Sequence, residues 1–515
     1  MKDCLFIAPR ISKATYQELA ENFTAIETPT WSLLLAESCR SIGFDVSILD
    51  MNAERLTDGQ MLLRISNEDP RFICFPVYGS NPNSGSLMMG DAILLAETIK
   101  ETFPNIPIIF VGSHMQARPN QVLLDHKGIV DIILTGEGVY ALRNLLKLDY
   151  TVGAPELLNL DSVKGIGFIK DGNPFLTPPE KIVPQERMDI DLPGYAWDLL
   201  PYKESPLDLY RSHFFHAEYQ HDKRTPFAAI YTSLGCMFKC SFCMINLINK
   251  NDNDSIGVAS NYSGMRFWSP ELIAGEFDKL WEMGVRTIRI SDEMFLLNRK
   301  YYVPLCEMLR DRGYGEELLM WVYSRVDTIN DKSNLKLLRD AGIKMVSLGV
   351  ESGNKKVRLE VTKGKFEEVD IKDVIQKCRD AGIEPMANYM FGLPGDTYES
   401  MLETLQLSLE LNTTVWNAYA ATALPGSQLY KDCVDKNIPL PQTYNDWSFF
   451  SENTIGIPTE ELTSDQIIEF RDWAYQVYHT YPPFLYTIEK KYGKIAKENI
   501  LNQNKISLKR NKIND

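Results

Sequence analysis

Twice along this chain, short apolar runs of strand length alternate with segments whose apolar residues recur at helical spacing. The first succession occupies residues 1–150. "CLFIAP" reads as a buried strand, Trp31, Leu34, Leu35, Cys39 and Ile42 share one helical stripe, and "FDVSILD" and "FICFPVY" follow as strands. A second amphipathic helix near Leu87–Ile99 precedes the strands "IPIIFVG" and "VDIILTG". Such alternation implies a parallel, doubly wound sheet covered by helices on both faces. Ligands of these sheets sit beyond the carboxyl ends of the strands. Here those ends carry Tyr78-Gly79-Ser80-Asn81, Gly112-Ser113-His114 and Gly136-Glu137-Gly138. Glycine lets a backbone approach a ligand closely, and it equally serves a plain turn.

The second succession runs over residues 226–425 with six strand candidates: "FAAIYTSL", "RTIRIS", "LMWVYS", "MVSLGV", "PMANYMF" and "TVWNAYAA". Amphipathic segments separate them, for example Ile273, Phe277, Leu280 and Trp281. Six β/α units predict an open, partial (β/α)6 version of the eightfold barrel, with functional residues at the strands' carboxyl ends. Residues 151–225 form a proline-rich connector in which "GIGFIKDGNPF" reads as a hairpin turning at Asp171-Gly172. Residues 426–515 turn helical and aromatic around Trp447, Trp473 and Tyr481, as a substrate cap or a packing appendage.

The 515 residues suffice for about three domains. A net charge of −15 argues against binding a nucleic acid over the whole surface. The lysine-rich tail after Glu489 reads as a solvated, frayed end. No apolar run approaches membrane-spanning length, and the opening "MKDCLFIAPR" is too short for a secretory core. The expectation is a cytoplasmic chain with reduced thiols and no membrane insertion.

Three of the nine cysteines fall within "GCMFKCSFC" as Cys236, Cys240 and Cys243, directly after the first barrel strand. A reducing compartment argues against a disulfide. Structural zinc takes four ligands, usually as two pairs, and this chain has no second CxxC; the nearest histidines, His213, His216 and His221, precede the strand. A redox CxxC leaves Cys236 without a role. Three close thiols suit a [4Fe–4S] cluster with one open iron. Zinc fits the residues less well and stays open on them alone.

With Phe242 before the last cysteine, and with "ISDEMF" (290–295), "WVYSRVD" (321–327), "LGVESG" (348–353), "NYMFGLPGDT" (388–397) and "ALPGSQLY" (423–430) in order behind it, the chain resembles the radical S-adenosylmethionine (SAM) superfamily. The resemblance implies that the open iron binds SAM and that reductive cleavage yields a 5′-deoxyadenosyl radical. It also implies an electron donor such as flavodoxin or ferredoxin. Phe242, Asp292, Glu293, Arg325, Glu351 and Asn388 become the candidate SAM contacts. Asp292 and Glu293 suit the ammonium, Arg325 the carboxylate, Glu351 a ribose diol or the ammonium, and Asn388 the ribose or adenine edge. Each also has a plain reading: an N-cap or ion pair for the acids, a pair with Asp327 for Arg325.

Before such a barrel, "TPTWSLLLAESCRSIGFDVSILD", "VGSHMQARP" and "VDIILTGEGVYALRNLL" resemble a Rossmann-like cobalamin-binding domain, and "MDIDLPGYAWDLLP" resembles the segment leading into the barrel. Tyr78, Gly79, Ser80, Asn81, Gly112, Ser113, Gly136, Glu137 and Gly138 are then candidate cobalamin contacts. The DxHxxG string that supplies an axial histidine in many cobalamin proteins is absent, so no cobalt ligand is named. The resemblance implies a cobalamin-dependent methyltransferase acting on an unactivated carbon of a small-molecule or carrier-bound metabolite. A radical rearrangement, cyclisation or oxidation without methyl transfer is the alternative, and a cofactor-responsive regulator the remote one. Tyr323, Tyr389, Trp416 and Tyr419 are candidates to line the pocket, or core.

Overall fold

The computed structural model describes residues 1–79, 82–149, 159–203, 209–212, 225–245, 247, 264–362 and 369–511. Its first sheet contains β1 (Lys2–Ala8), β2 (Val46–Asp50), β3 (Pro70–Pro76), β4 (Ile108–Val111) and β5 (Ile132–Leu134), then a hairpin of β6 (Ile166–Lys170) and β7 (Asn173–Leu176). The spatial order is β2-β1-β3-β4-β5-β6-β7. The first five strands are parallel, and β6 joins β5 antiparallel. Residues alternate between faces as the pleat requires. Cys4, Phe6, Phe72 and Cys74 pack on one face, and Leu5, Ile7, Ile73 and Phe75 on the other. The order reverses between β1 and β3, which opens a crevice at their carboxyl ends.

The expected turn at Asp171-Gly172 is present, with both residues at positive φ (50° and 83°), the requirement of a tight two-residue hairpin. This hairpin belongs to the first sheet, so that sheet runs on past residue 150.

The second sheet has six parallel strands in sequential order: β8 (Phe227–Ile230), β11 (Thr287–Ile290), β12 (Leu319–Arg325), β13 (Ile343–Glu351), β14 (Glu384–Phe391) and β15 (Trp416–Ala420). A small ribbon of β9 (Ser233–Leu234) and β10 (Arg266–Phe267) stands apart. "FAAIYTSL" is therefore two pieces. At the break the Tyr195 hydroxyl accepts from Tyr231 N–H (2.9 Å) and donates to Tyr231 O (2.8 Å), and Asp292 accepts from Thr232 N–H (2.6 Å), so side chains replace the ladder.

An open barrel leaves two strand edges. At β8, Thr28 Oγ1 accepts from Ala229 N–H (2.9 Å) and donates to Ala229 O (3.1 Å). At β15, Arg471 Nε donates to Ala418 O at 2.8 Å. The first cover comes from the N-terminal part of the chain and the second from the helix Ser464–Thr480, so the flanking regions complete what the six strands leave open.

The helices Pro482–Tyr492 and Lys494–Gln503 follow. The tail beyond them does not fray as its lysines suggest. Arg510 pairs with Asp472 (2.9 Å) and donates to Phe449 O (2.7 Å) and Ser451 O (2.9 Å). Lys509 N–H donates to Gln17 Oε1 at 2.9 Å, while Gln17 Nε2 donates to Phe450 O at 2.7 Å. One arginine and a few backbone groups dock the tail, which a count of lysines does not register. Among the described residues no helix is long and apolar enough to cross a membrane.

Candidate functional site

All nine cysteines are unpaired; Cys236 is buried, Cys240 and Cys243 half-buried. Gly235, at φ 90°, turns the chain out of β9 into the thiol loop. Backbone N–H groups of Phe238 and Ile245 approach the sulfurs of Cys236 (3.4 Å) and Cys243 (3.5 Å). Burial pushes the Cys236 thiol up to about 12, Cys240 to about 11, and Cys243 well above its ordinary value. The bare thiols are therefore neutral, and a bound metal would drive their protons off. Among the described residues no three His, Cys, Asp or Glu side chains gather round a single ion position. One zinc ion needs every donor at about 2.0–2.3 Å from one point. In an iron–sulfur cluster each thiolate instead meets its own iron.

Two half-buried carboxylates flank the thiols. Glu293 Oε1 is buried without a hydrogen-bond partner, and its charge acts on Cys236 and Cys243. Burial lifts Glu293 to about 7. Glu351 acts on Cys240 and is likewise lifted to about 7 by burial, against the pull of Arg325. Its backbone has φ 64°, uncommon for a side chain of this size, at a register shift of β13 against β14. The carboxylate folds over Gly349, where a Cβ would stand 2.4 Å from Glu351 Oε1. Arg325 pairs with Asp327 (2.8 Å from Nε to Oδ1), as its plain reading had it, and lies 3.8 Å from the Phe238 ring centre. Phe242 lines the cavity described below.

Asp292 and Asn388 are engaged elsewhere. Besides Thr232 N–H, Asp292 accepts from the hydroxyls of Thr232 (2.7 Å) and Ser233 (2.6 Å), which pins the broken end of the first barrel strand. Asn388 donates to Ser347 Oγ (2.8 Å) and Leu348 O (3.1 Å) and accepts from Asn417 (3.1 Å). Asn417, one strand further, lines the cavity instead.

In the first sheet only part of the candidate set reaches the cavity. Gly79 lines it. Tyr78 stacks on Trp31 at 4.5 Å, with its hydroxyl buried and unpartnered. Gly112 is required by its neighbour, because a Cβ there would stand 2.2 Å from Val77 O. Ser113 is buried and fills the space where Gly85 has no Cβ, 2.1 Å from that position. Gly136 faces open space, and Gly138, at φ 93°, starts the helix Val139–Leu146. Glu137, expected near a ligand, instead pairs with Arg266 (2.8 Å, both side chains 2% exposed) and accepts from Val183 N–H. It ties the first sheet to the β9–β10 ribbon. Ser80, Asn81, His213, His216 and His221 lie outside the described residues. His114 meets Ser86 Oγ at 2.8 Å and is kept neutral by burial, its pKa pulled to about 3.

A cavity of about 1280 Å³ joins the two sheets. Gly79, Asn83 and Ser84 enter it from beyond β3, Phe242 from the thiol loop, Tyr323, Trp416 and Tyr419 from the barrel, and Phe449, Arg471 and Tyr475 from the C-terminal region. Tyr389 is not among its lining residues and is core. Arg289, paired with Glu27 across 262 positions, also lines it. Sequence reasoning passed over Arg289, although an arginine inside the strand "RTIRIS" is a legible signal of a polar interior. Asn83 had no such signal, because its place depends on how two distant loops meet.

Residues 230–408 match the family model of the radical SAM superfamily, and residues 18–146 match that of the B12 binding domain. This is a radical SAM protein with a B12 binding domain. It is similar to an uncharacterized methyltransferase of Pyrococcus horikoshii, 25% identical over 86% of this chain and 85% of that protein. It is also similar to the anaerobic magnesium-protoporphyrin IX monomethyl ester cyclase of Cereibacter sphaeroides, 24% identical over 79% of this chain and 60% of that one. Among solved structures, the radical SAM methyltransferase TsrM of Kitasatospora setae, with cobalamin and a [4Fe-4S] cluster bound, superposes with a TM-score of 0.60 at 16% identity, covering 86% of this chain and 80% of that one. This radical SAM protein has residues that fit both cofactor sets. It offers unpaired thiols and an unpartnered carboxylate oxygen at the barrel mouth, and a glycine-bordered crevice beside β1 and β3.

Proposed function

We propose that this chain is a cobalamin-dependent C-methyltransferase that acts on an unactivated carbon of a small-molecule or carrier-bound metabolite. The observation that carries this reading is the shared cavity: Asn83, beyond β3, lies 3.8 Å from the Cys243 sulfur, and both loops wall one chamber. A ligand of the first sheet and a ligand of the barrel therefore meet in the same space. Bound there, a [4Fe–4S] cluster, SAM and cobalamin supply one-electron chemistry and a transferable methyl group. Cys236, Cys240 and Cys243 hold the cluster. Glu293 accepts an ammonium through its unpartnered oxygen, Glu351 accepts a hydroxyl or ammonium beside Cys240, and Arg325 keeps a positive charge at the thiols. Gly79 lets the first sheet's ligand approach the backbone. The aromatic walls exclude water from reactive species.

In this reading residues 1–150 bind cobalamin, 151–225 connect, 226–425 form the catalytic barrel and 426–515 cap the substrate. An electron donor of the flavodoxin or ferredoxin class serves the cluster, in a cytoplasmic setting that keeps nine thiols reduced.

A second reading, radical cyclisation or oxidation without methyl transfer, is favoured by the similarity to the monomethyl ester cyclase. One experiment separates the two. The protein is reconstituted without oxygen in hydroxocobalamin and desalted, and its iron and cobalt are quantified. About four iron and one cobalt per chain, with label passing from the SAM methyl group into product, support methyl transfer. Iron without cobalt overturns it in favour of the second reading.

A further inference from the structure

Arg471 enters the cavity wall from the helix Ser464–Thr480 and is buried. Its Nε closes the edge of β15, and its Nη1 stands 3.3 Å from Asp472. That carboxylate already accepts two bonds from Arg510, at 2.9 and 3.2 Å. Two guanidinium charges thus share one carboxylate, which leaves an excess of one positive charge among the described residues. Burial works against the Arg471 charge more than Asp472 works for it.

Among the described residues the remaining neighbours supply no anion. Phe449, Tyr475 and Trp416 present ring faces 4.2, 5.1 and 6.0 Å from the guanidinium carbon. Trp416 lines the same cavity, and its indole Nε1–H is buried without an acceptor. His479, packed on Trp416, is held neutral by burial, its pKa pulled to about 4. A buried cation in excess and a buried donor without an acceptor, side by side, are both costly until an anion arrives.

We propose that Arg471 and Trp416 anchor a carboxylate of the substrate, whose apolar, ring-bearing body lies against Phe449 and Tyr475. This deepens the methyltransferase reading and rests on the cavity being the substrate's. A carboxylate matches the single excess charge, whereas a phosphate monoester at about −1.5 to −2 exceeds it. Arg471 belongs to the C-terminal region and Trp416 to β15, the sheet edge opposite β8 and the thiol loop that follows it, so the anchor selects and orients the substrate without taking part in the chemistry.

The test is calorimetric titration of the reconstituted full chain with 1-naphthoate, the neutral 1-naphthalenemethanol and 1-naphthyl phosphate. Naphthoate is expected to bind about tenfold or more tightly than the alcohol. Arg471→Gln removes that advantage and leaves the alcohol unchanged. Trp416→Phe keeps the ring and weakens naphthoate alone. Asp472→Asn removes the competing anion and tightens naphthoate, a direction that a merely structural role does not produce. Trp416→Phe and Asp472→Asn decide the matter even where Arg471→Gln fails to fold. Equal binding of alcohol and carboxylate, weaker naphthoate binding by Asp472→Asn, or tighter binding of the phosphate overturns the proposal. Naphthoate binding as expected, with no label leaving the SAM methyl group, counts against methyl transfer and leaves the anchor standing.

Discussion

The side-chain amide of Asn83 lies 3.8 Å from the sulfur of Cys243, and its oxygen accepts the Met244 N–H at 3.3 Å. These residues are 160 positions apart, one beyond the first sheet and one in the thiol loop. Through this contact the first domain reaches the site where the cluster is expected.

Asn83→Leu should lower product formation about tenfold or more while leaving the iron content of the reconstituted protein unchanged. It removes a polar contact to the thiol loop without removing a thiol. Iron analysis beside a labelled-methyl assay checks this, and loss of iron would show that Asn83 acts instead by holding the loop.

Replacing Cys236, Cys240 or Cys243 singly by serine should reduce reconstituted iron from about four per chain to near zero and abolish the visible absorption of the cluster. Cys306 and Cys378, both fully buried in the core, should tolerate serine with iron retained and a lower melting temperature. If iron loss followed any cysteine alike, the triplet would not be the cluster site.

Glu137 and Arg266 form a buried pair at 2.8 Å. Glu137→Leu should cost about 3–5 kcal/mol, because it strands a buried guanidinium. The double change Glu137→Leu with Arg266→Met should recover much of that loss. Urea unfolding of the four proteins in the cycle measures the coupling, and a small coupling together with weakened cobalamin binding would return Glu137 to the ligand role its sequence position suggested.

Asp50 ends β2 in the cavity wall, where burial raises it to about 6 although Ala53 N–H, Asn52 N–H and the Tyr210 hydroxyl donate to it. Its folded pKa lies above the ordinary 3.8, so the folded state holds the proton more tightly than the unfolded one. Asp50 alone should therefore take on the order of 2–3 kcal/mol from the cofactor-free protein as pH rises from about 4 to about 6, adding to the like-signed contributions of Glu293 and Glu351. Asp50→Asn should make that slope shallower by about this amount in denaturant melts taken across the window.

Much of the fold was legible because its signals are local. Six strands and their order follow from runs such as "RTIRIS" and "MVSLGV", each placed beside its predecessor by the right-handed β/α connection. The hairpin at Asp171-Gly172 was legible for the same reason, since its two φ angles depend on two adjacent residues. The thiol triplet was legible because its spacing is a local pattern.

Roles that depend on partners far along the chain were not legible. Asp292 and Glu293 are adjacent and chemically alike, yet Asp292 is saturated by Thr232 and Ser233 whereas an oxygen of Glu293 is left bare. Both follow the end of β11 at Ile290, and nothing in the residues themselves says which neighbour will arrive. Glu137 met Arg266 from 129 positions away, and Arg510 docked a tail whose composition suggested fraying.

By itself the sequence determined two parallel sheets and a group of three thiols after the first barrel strand, because periodicity and spacing are properties of neighbouring residues; the two cofactor-type domains followed from resemblance to known families. Only the tertiary structure decided which carboxylate stands open, which glycine faces the cavity and where an excess positive charge sits. Burial, which sets the cost of an unmatched polar group, exists only once distant segments have packed together.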